Sequence, residues 1–486
     1  MQGQVRAPEI NQPGLDWLNV DAPLSLADVA GKLVILDFWT FCCINCMHIL
    51  PTLARLEEAF PEELAVIGVH SPKFAAEKDL DNIRHAIARY DIRHPIAHDP
   101  GMVLWQQFAV RAWPTLVVIA PDGSVMGQIP GEPDPDKLHD FVADLLNQAR
   151  DQGHLQPSPM NLSLEVGSPG RFAFPAKMCP IPGTDNWALA DSGHHQIAIL
   201  DGDGQEVRRI GSGTKGFDDG DGASATFNSP QGVTSDGQSI FVADTYNHAL
   251  RRIDLADDSV TTLAGNGRRG PVLERPLPAP DAVLASPWDV LVDGDQLYFA
   301  NAGTHQLGVY GLADGRVSLL AGNGHENIVD GPAQRAQLAQ PSGLALSEDG
   351  ETLYFADSET SALRALSLGD RQVSTLIGTG LFDFGHINGP ADQARLQHAL
   401  GIAVDGDNLI IADSYNGILR QFDGMKNAVS DLDDGSFTCL DDICIPGAEP
   451  AGVSMMPDGR ILMVDTNNHR IVAYRPEDKT YATWAS

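Results

Sequence analysis

The sequence predicts a multidomain protein of two fold classes: an α/β domain over residues 1–150 and an all-β, six-bladed propeller over residues 171–486. Three observations predict it. In the first 150 residues, apolar strand-like runs alternate with helical patterns. From about residue 171, one strand-and-turn unit recurs six times. And 486 residues exceed what a single hydrophobic core usually serves, so the chain is expected to divide.

The α/β elements follow in order. "KLVILDFW" (32–39) is a continuous apolar run and reads as a buried strand. "CMHILPTLARLEEAF" (46–60) places Ile49, Leu53, Leu56 and Phe60 at helical spacing. "LAVIGVH" (64–70) is a second strand, and "DLDNIRHAIARY" (79–90) a helix with Ile83, Ile87 and Tyr90 on one face. "TLVVIAPDGSVMGQIPG" (115–131) reads as a strand pair around a Pro-Asp-Gly turn, and residues 136–149 as a closing helix. Strand–helix–strand order implies a sheet with helices on its faces. Residues 151–170 hold three Pro and three Gly with weak periodicity, and read as a linker.

The repeat reads "WALADSGHHQIAIL", "IFVADTYNHALRRI", "LYFANAGTHQLGVY", "LYFADSETSALRAL", "LIIADSYNGILRQF" and "ILMVDTNNHRIVAY". Its anchors are Asp191, Asp244, Asn301, Asp357, Asp413 and Asp465, spaced 53, 57, 56, 56 and 52 residues apart. A second signature precedes most copies, with Pro at 230, 287, 341 and 450 and Ala399 in the fifth. A single small sheet cannot bury both faces, but six sheets around an axis can, each packed on its neighbours. The anchor follows an apolar strand and precedes a polar turn, so it is expected to accept hydrogen bonds from turn amides. His195, His248, His305 and His469 lie four residues after an anchor and are expected to cap turns. "DDGDG" (218–222) has the composition of a calcium loop, but "DGPAQRAQL" and "NGPADQARL" recur in its place, which makes it a blade connection. Cys179 is expected to be buried in blade one, and Cys439 and Cys444, five residues apart, to be bridged or reduced. The pattern of the copies resembles the NHL repeat, which implies a propeller that serves as a binding platform for proteins or RNA or, in some families, as an enzyme, and leaves the partner unnamed.

"FWTFCCINCMHILP" (38–51) sits where the first strand meets the first helix. Cys43-Ile44-Asn45-Cys46 is a C-x-x-C at that junction. Free N–H groups and the helix dipole favour a thiolate at the first cysteine, and the second lies one turn on, close enough to resolve a mixed disulfide. Zinc needs four ligands, and His48 is the nearby candidate nitrogen. Thr40-x-x-Cys43 matches part of a peroxiredoxin motif, but Leu36 stands where that motif has Pro.

The same stretch, with "VRAWPTLVV" (110–118), resembles a thioredoxin-like domain of the TlpA/ResA type. That resemblance implies a nucleophile at Cys43, a resolving thiol at Cys46, a proton-relaying acid at Asp37 and a cis-proline at Pro114. It also implies a substrate groove at Trp39 and Trp113, and a helix kink at Pro51. The departures are Ile-Asn between the cysteines, Ile49 in place of a helix Glu, and no Lys on residues 64–70 to pair with Asp37. Cys42 replaces an aromatic residue, either as packing or as an accessory thiol. The order of the two domains, with "FCCINCMHILP", "IGVHSPKF" and "FNSPQGV", resembles the NHL repeat-containing protein 2-like family.

The implied function is a thiol-disulfide oxidoreductase whose propeller is a protein-interaction platform. The alternative is a redox-inactive scaffold. A protein partner or substrate disulfide is expected, with no cofactor beyond the redox-active cysteine pair. The 65 acidic residues outnumber 32 basic ones and no basic block appears, which argues against nucleic acid and anionic membranes. No apolar run follows a basic start in "MQGQVRAPEINQPGLDWL", so a cytoplasmic location is expected. Six cysteines in such a chain are too sparse for a disulfide-built fold.

Overall fold

A computed structural model describes residues 5–164, 170–432 and 448–486. Cys439 and Cys444 lie outside the described residues. The chain forms two compact units, Met1–Ser168 and Pro169–Ser486.

The first unit contains β1 (Asp16–Leu18), β2 (Leu33–Trp39), α1 (Ile44–Ala59), β3 (Leu64–His70), α2 (Leu80–Arg89), β4 (Ile96–His98), α3 (Val103–Gln107), β5 (Thr115–Ile119), β6 (Val125–Pro130) and α4 (Pro135–Asp151). Its sheet runs β1-β4-β3-β2-β5-β6. β2, β3 and β4 are parallel, and the other pairings are antiparallel. β2 is buried along its whole length because both faces are covered. Val34, Leu36 and Phe38 enter one core, and Leu33 and Ile35 enter the other, with Leu53 and Leu56 of α1 and Val142 and Leu146 of α4. β1, β4 and α3 have three, three and five residues and had no sequence expectation, being too short to show a period.

Part of the stretch read as a linker is attached to this unit. Gln156 N–H donates to Gly31 O, Ser158 N–H to Glu62 O and Ser163 N–H to Asn19 O. Lys32 Nζ, held at the back of β2, donates to the carbonyls of Glu62 and Ser158.

The second unit is a six-bladed β-propeller, each blade holding four consecutive antiparallel strands, with a short fifth added in blades three to five. An apolar cluster lies between each pair of neighbouring blades. A sixth joins Leu462, Val464 and Ile471 of the last blade to Phe172, Met178 and Leu189 of the first and closes the ring.

The anchors are all fully buried, and in three blades the following turn supplies an amide: the side chains of Asn247, Asn416 and Asn468 donate to Asp244, Asp413 and Asp465. Oδ1 accepts the N–H of a residue 16 to 18 positions upstream, where the chain enters the same blade: Ala173 for Asp191, Asn228 for Asp244, Ala285 for Asn301, Ala339 for Asp357, Gln397 for Asp413 and Glu449 for Asp465. The backbone amide it accepts is thus at the blade's entry rather than in the turn, and the anchor ties that entry to the second strand. In blades two, four and five, Oδ2 meets an arginine seven residues on, Arg251, Arg364 or Arg420, at 2.8 to 3.1 Å. The outer face of that arginine takes up the loop aspartates once read against calcium. Asp219 pairs with Arg251 and Asp330 with Arg364.

The residue after the anchor reaches the next blade. The hydroxyls of Ser192, Thr245, Ser358, Ser414 and Thr466 donate to the carbonyls of Pro230, Pro287, Ala399, Pro450 and Pro175. Only a carbonyl is used, so Ala399 serves as well as proline. His195, His248, His305 and His469 adopt left-handed backbone at the turn, with φ of 51° to 55°. Their Nδ1 accepts the N–H of Ser229, Ser286, Gln340 and Phe174 respectively, each in the next blade. These histidines therefore fasten blade to blade as well as ending a turn.

Candidate functional site

Cys43 is the N-cap of α1, with extended backbone, and is half-buried. Its Sγ accepts the Cys46 N–H at 3.4 Å. The sulfur thus meets an N–H group at the helix mouth, where the first amides lack intrahelical partners. Cys46, one turn on, is fully buried, and enclosure holds its thiol well above the usual range; its hydrogen bond and Coulombic interaction with Cys43, and the Asp37 carboxylate, push it further. Cys42, Cys43 and Cys46 are all free thiols. One thiol lies half-buried at the helix mouth, and its mate is held inside as a neutral group.

Asp37 lies on β2 beneath them, completely enclosed, and burial pushes its carboxyl up to about 7, with His94 opposing that shift. At that value the carboxyl exchanges protons near neutral pH. The Trp113–Pro114 peptide bond is cis, and Pro114 leads into β5, which pairs with β2. Trp113 is partly exposed, lies tilted against Trp105 with ring centroids 4.5 Å apart and donates Nε1–H to Ser71 O at 2.9 Å. Trp39 departs from its expected place in a substrate groove. It is fully buried, edge-on to His70 at 5.0 Å, and supports the site from below. The structure brings Cys43, Cys46 and Asp37 to one end of β2 and α1, with Pro114 on the adjacent strand. Cys42 is buried, its Sγ 4.0 Å from the Thr40 hydroxyl, and faces inward as a packing residue does.

Two residues of this region were not found from sequence. Glu77 is fully buried after β3 and accepts from the Thr40 hydroxyl, the Cys42 N–H, the Lys73 N–H and the Phe74 N–H. It thus holds the loop before α1 to the loop after β3. His94, just ahead of β4, is enclosed and bonds Glu57 of α1 through Nδ1 at 3.2 Å. A glutamate in "FAAEKD" and a histidine in "IRHPI" read as surface residues because nothing local distinguishes them. His48, the nitrogen weighed for zinc, bonds Glu132 at 3.0 Å. Among the described residues, no helix is long and apolar enough to cross a membrane.

In the propeller, the first strands of the blades surround an axial cavity of about 310 Å³. Cys179 lines it and is partly buried. Lys177 and Asp289 form an ion pair across it at 2.8 Å.

Comparison with known proteins agrees with both halves. Residues 31–125 match the thioredoxin-like family, and residues 227–253 and 448–474 match the NHL repeat. Protein SUPPRESSOR OF QUENCHING 1, chloroplastic, from Arabidopsis thaliana is 40% identical over 480 residues, which cover 94% of this chain and 45% of that protein. The chain thus spans less than half the length of that relative. NHL repeat-containing protein 2 from Homo sapiens is 38% identical over 505 residues, covering 96% of this chain and 70% of that protein. Thiol-disulfide oxidoreductase ResA from Bacillus thuringiensis is 28% identical over 119 residues, 24% of this chain and 66% of that protein. With the same domain order and that extent of identity, the chain belongs to the NHL repeat-containing protein 2 family.

Proposed function

We propose that this protein is a cytoplasmic thiol-disulfide oxidoreductase that needs no cofactor beyond Cys43 and Cys46. The reading rests on one observation above others: Cys43 is half-buried at the mouth of α1, with Cys46 enclosed one turn further on. The Cys43 thiolate attacks one sulfur of a substrate disulfide, forming a mixed disulfide and releasing the first substrate thiolate. Cys46 then loses its proton, attacks the Cys43 sulfur and releases the second thiol. Asp37 is the base that takes the Cys46 proton, and Pro114 and Trp113 border the substrate. Similarity to a protein named as a thiol-disulfide oxidoreductase supports the chemistry.

The propeller is the platform that recruits the protein carrying the disulfide. Propellers offer a rigid ring with open faces, and NHL repeats are found in such binding modules. The acidic chain, net −33, favours a protein partner over nucleic acid.

The test uses the whole chain. Cys46→Ser is expected to accumulate mixed disulfides with a protein substrate, and Cys43→Ser to abolish both trapping and disulfide reduction. Equal reduction of insulin disulfides by the parent and by Cys43→Ser rejects the catalytic reading and leaves the redox-inactive scaffold.

A further inference from the structure

Behind the cysteines, the first unit encloses more polar atoms than it pairs. Both carboxylate oxygens of Asp37, Trp39 Nε1 and His94 Nε2 are buried and make no hydrogen bond among the described residues. Buried polar groups are nearly always paired, with protein or with a held water.

Gly68 brings these atoms to one place. It is the ladder partner of Asp37 across β2 and β3. A side-chain carbon at Gly68 would stand 3.0 Å from Trp39 Nε1 and 3.3 Å from His94 Nε2. The indole N–H and the imidazole thus converge on the face of β3 where Gly68 carries no side chain. Ile96 Cδ1 would lie 2.4 Å from the same carbon, so no side chain fits there and β3 offers these polar atoms no covering group.

On its other side the imidazole points outward. His94 Nδ1 meets Glu57 Oε2 at 3.2 Å, and the Glu57 side chain is 29% exposed against 4% for His94. An enclosed imidazole thus connects an internal polar space to a solvated carboxylate. Such a ring accepts a proton on one nitrogen and releases one from the other.

We propose that Asp37, Trp39 and His94 hold one water molecule above Gly68, and that this water, His94 and Glu57 carry to solvent the proton that Cys46 gives to Asp37. The proposal rests on the oxidoreductase reading and deepens it. In the resolving step the Cys46 S–H bond breaks and its proton passes to the Asp37 carboxylate. The Cys46 sulfur bonds to the Cys43 sulfur, the substrate–Cys43 bond breaks, and the substrate leaves as a thiolate. Cys43 and Cys46 are oxidised together and the substrate disulfide is reduced by the same electron pair. The Asp37 proton then moves through the water to His94 Nε2, and the Nδ1 proton moves to Glu57. Among the groups facing Asp37, α1 contributes Cys46 with Cys43 behind it, the segment before β4 contributes His94, and β3 and β5 place Gly68 and Leu116 opposite. His94 is the group of that set able to carry positive charge. It occupies the role left open by the lack of a lysine on β3.

The experiment mixes the reduced full chain with an equimolar amount of Ellman's disulfide. The first release of thionitrobenzoate reports attack by Cys43, and the second reports attack by Cys46 on the mixed disulfide; Cys46→Ser identifies the second by losing it. His94→Gln is expected to leave the first release unchanged and to slow the second roughly tenfold, flattening its rise between about pH 6 and pH 8. Glu57→Gln, which keeps a hydrogen-bond acceptor for the ring, is expected to slow it in the same direction. A second release at the parent rate and with the parent pH profile in both variants overturns the proposal. A parallel titration of the Asp37 carboxyl by ¹³C NMR in the reduced chain reads the contact without any turnover. Its midpoint is expected to rise in His94→Gln, and an unmoved midpoint overturns the proposal. If the parent itself gives no second release, the oxidoreductase reading fails, and the Asp37 titration still decides the link to His94.

Discussion

The Glu77 carboxylate accepts the backbone N–H of Cys42 at 3.0 Å, and through that bond a residue after β3 fixes the loop that presents Cys43. The same carboxylate takes the Thr40 hydroxyl at 2.5 Å and the N–H groups of Lys73 and Phe74 at 2.8 and 2.9 Å. Three of these bonds are fully buried and the one from Lys73 partly so, and a carboxylate acceptor makes each a charge-assisted bond. Glu77→Ala leaves several buried donors unmet, and is expected to destabilise the chain by about 3 kcal/mol or more. Glu77→Gln recovers only part of this, because its amide NH₂ faces N–H donors. Urea unfolding measures the loss. The alkylation rate of Cys43 in native conditions is expected to change in both variants, since the helix mouth is no longer held. A loss below about 1 kcal/mol in Glu77→Ala would show that water replaces the carboxylate at no cost.

Asp37 gives a stability that depends on pH in a defined sense. Its carboxyl stands at about 7 in the folded chain against an ordinary 3.8, chiefly because burial disfavours the charge. A raised carboxyl binds its proton more tightly folded than unfolded, so stability falls as pH rises from 3.8 to about 7, and the whole penalty is present above that. Asp37→Asn removes the charge and keeps the shape. It is expected to stabilise the first unit at pH 8 by up to about 4 kcal/mol, with no gain near pH 4. Calorimetric unfolding of parent and variant across that range checks it. An equal gain at both pH values would mean that Asp37 ionises as an ordinary surface carboxylate does.

The cysteine site was legible because its signals are local: strand, C-x-x-C and helix follow one another within about twenty residues of chain. β2 and β3 were legible because each is a seven-residue apolar run buried on both faces. β1 and β4 exist through their pairing with neighbours, which no short window of sequence displays. Glu77 and His94 illustrate the same limit for side chains. Their partners Cys42 and Glu57 are 35 and 37 residues away, so only the fold turns two apparently solvated residues into buried ones. The propeller anchors were legible as structural residues from their recurrence. Their hydrogen-bond partners were legible only in part: the turn amides of Asn247 and Asn416 follow the anchor in sequence, whereas the backbone amide brought into reach by the blade lies upstream. Trp39 was placed in the groove by the family resemblance, but strand alternation points it inward beside Asp37 and Gly68.

Lys177 and Asp289 join blade one to blade three across the axis, and both are largely buried. Lys177 Nζ also donates to the Ser342 carbonyl of blade four, and Asp289 Oδ2 accepts the Leu344 N–H at 2.9 Å. The pair thus pins three of the six inner strands. Burial pushes the lysine down and the aspartate up, each restrained by the other. Lys177→Met leaves Asp289 as an uncompensated internal charge and is expected to cost about 3–5 kcal/mol. The double variant Lys177→Met, Asp289→Leu is expected to recover most of that loss. A double-mutant cycle by thermal unfolding measures both, and simple additivity of the two single losses would show that the pair is not coupled.

Asn301 is the anchor that breaks the pattern, and its surroundings show why. Arg251, Arg364 and Arg420 stand seven residues after Asp244, Asp357 and Asp413, but the equivalent residue after Asn301 is Gly308. A side-chain carbon at Gly308 would lie 2.1 Å from the Phe299 ring, so the aromatic ring occupies the arginine's space. Blades one and six also lack that arginine, yet their anchors remain aspartates because Arg209 reaches Asp191 at 2.5 Å and Arg470 reaches Asp465 at 3.0 Å. Charge on the anchor therefore follows the presence of a cation. Asn301 keeps the shared bond from Ala285 N–H at 2.9 Å and donates Nδ2–H to the Thr304 hydroxyl at 2.6 Å, both possible without charge. Asn301→Asp puts a carboxylate in a fully enclosed place with no arginine beside it. The expected loss is about 3–5 kcal/mol at pH 8, shrinking as the pH falls and the buried carboxyl takes up its proton. Unfolding of parent and variant at pH 8 and pH 5 measures this. A variant as stable as the parent at pH 8 would show that the anchor tolerates an unpaired charge and that the arginines serve some other purpose.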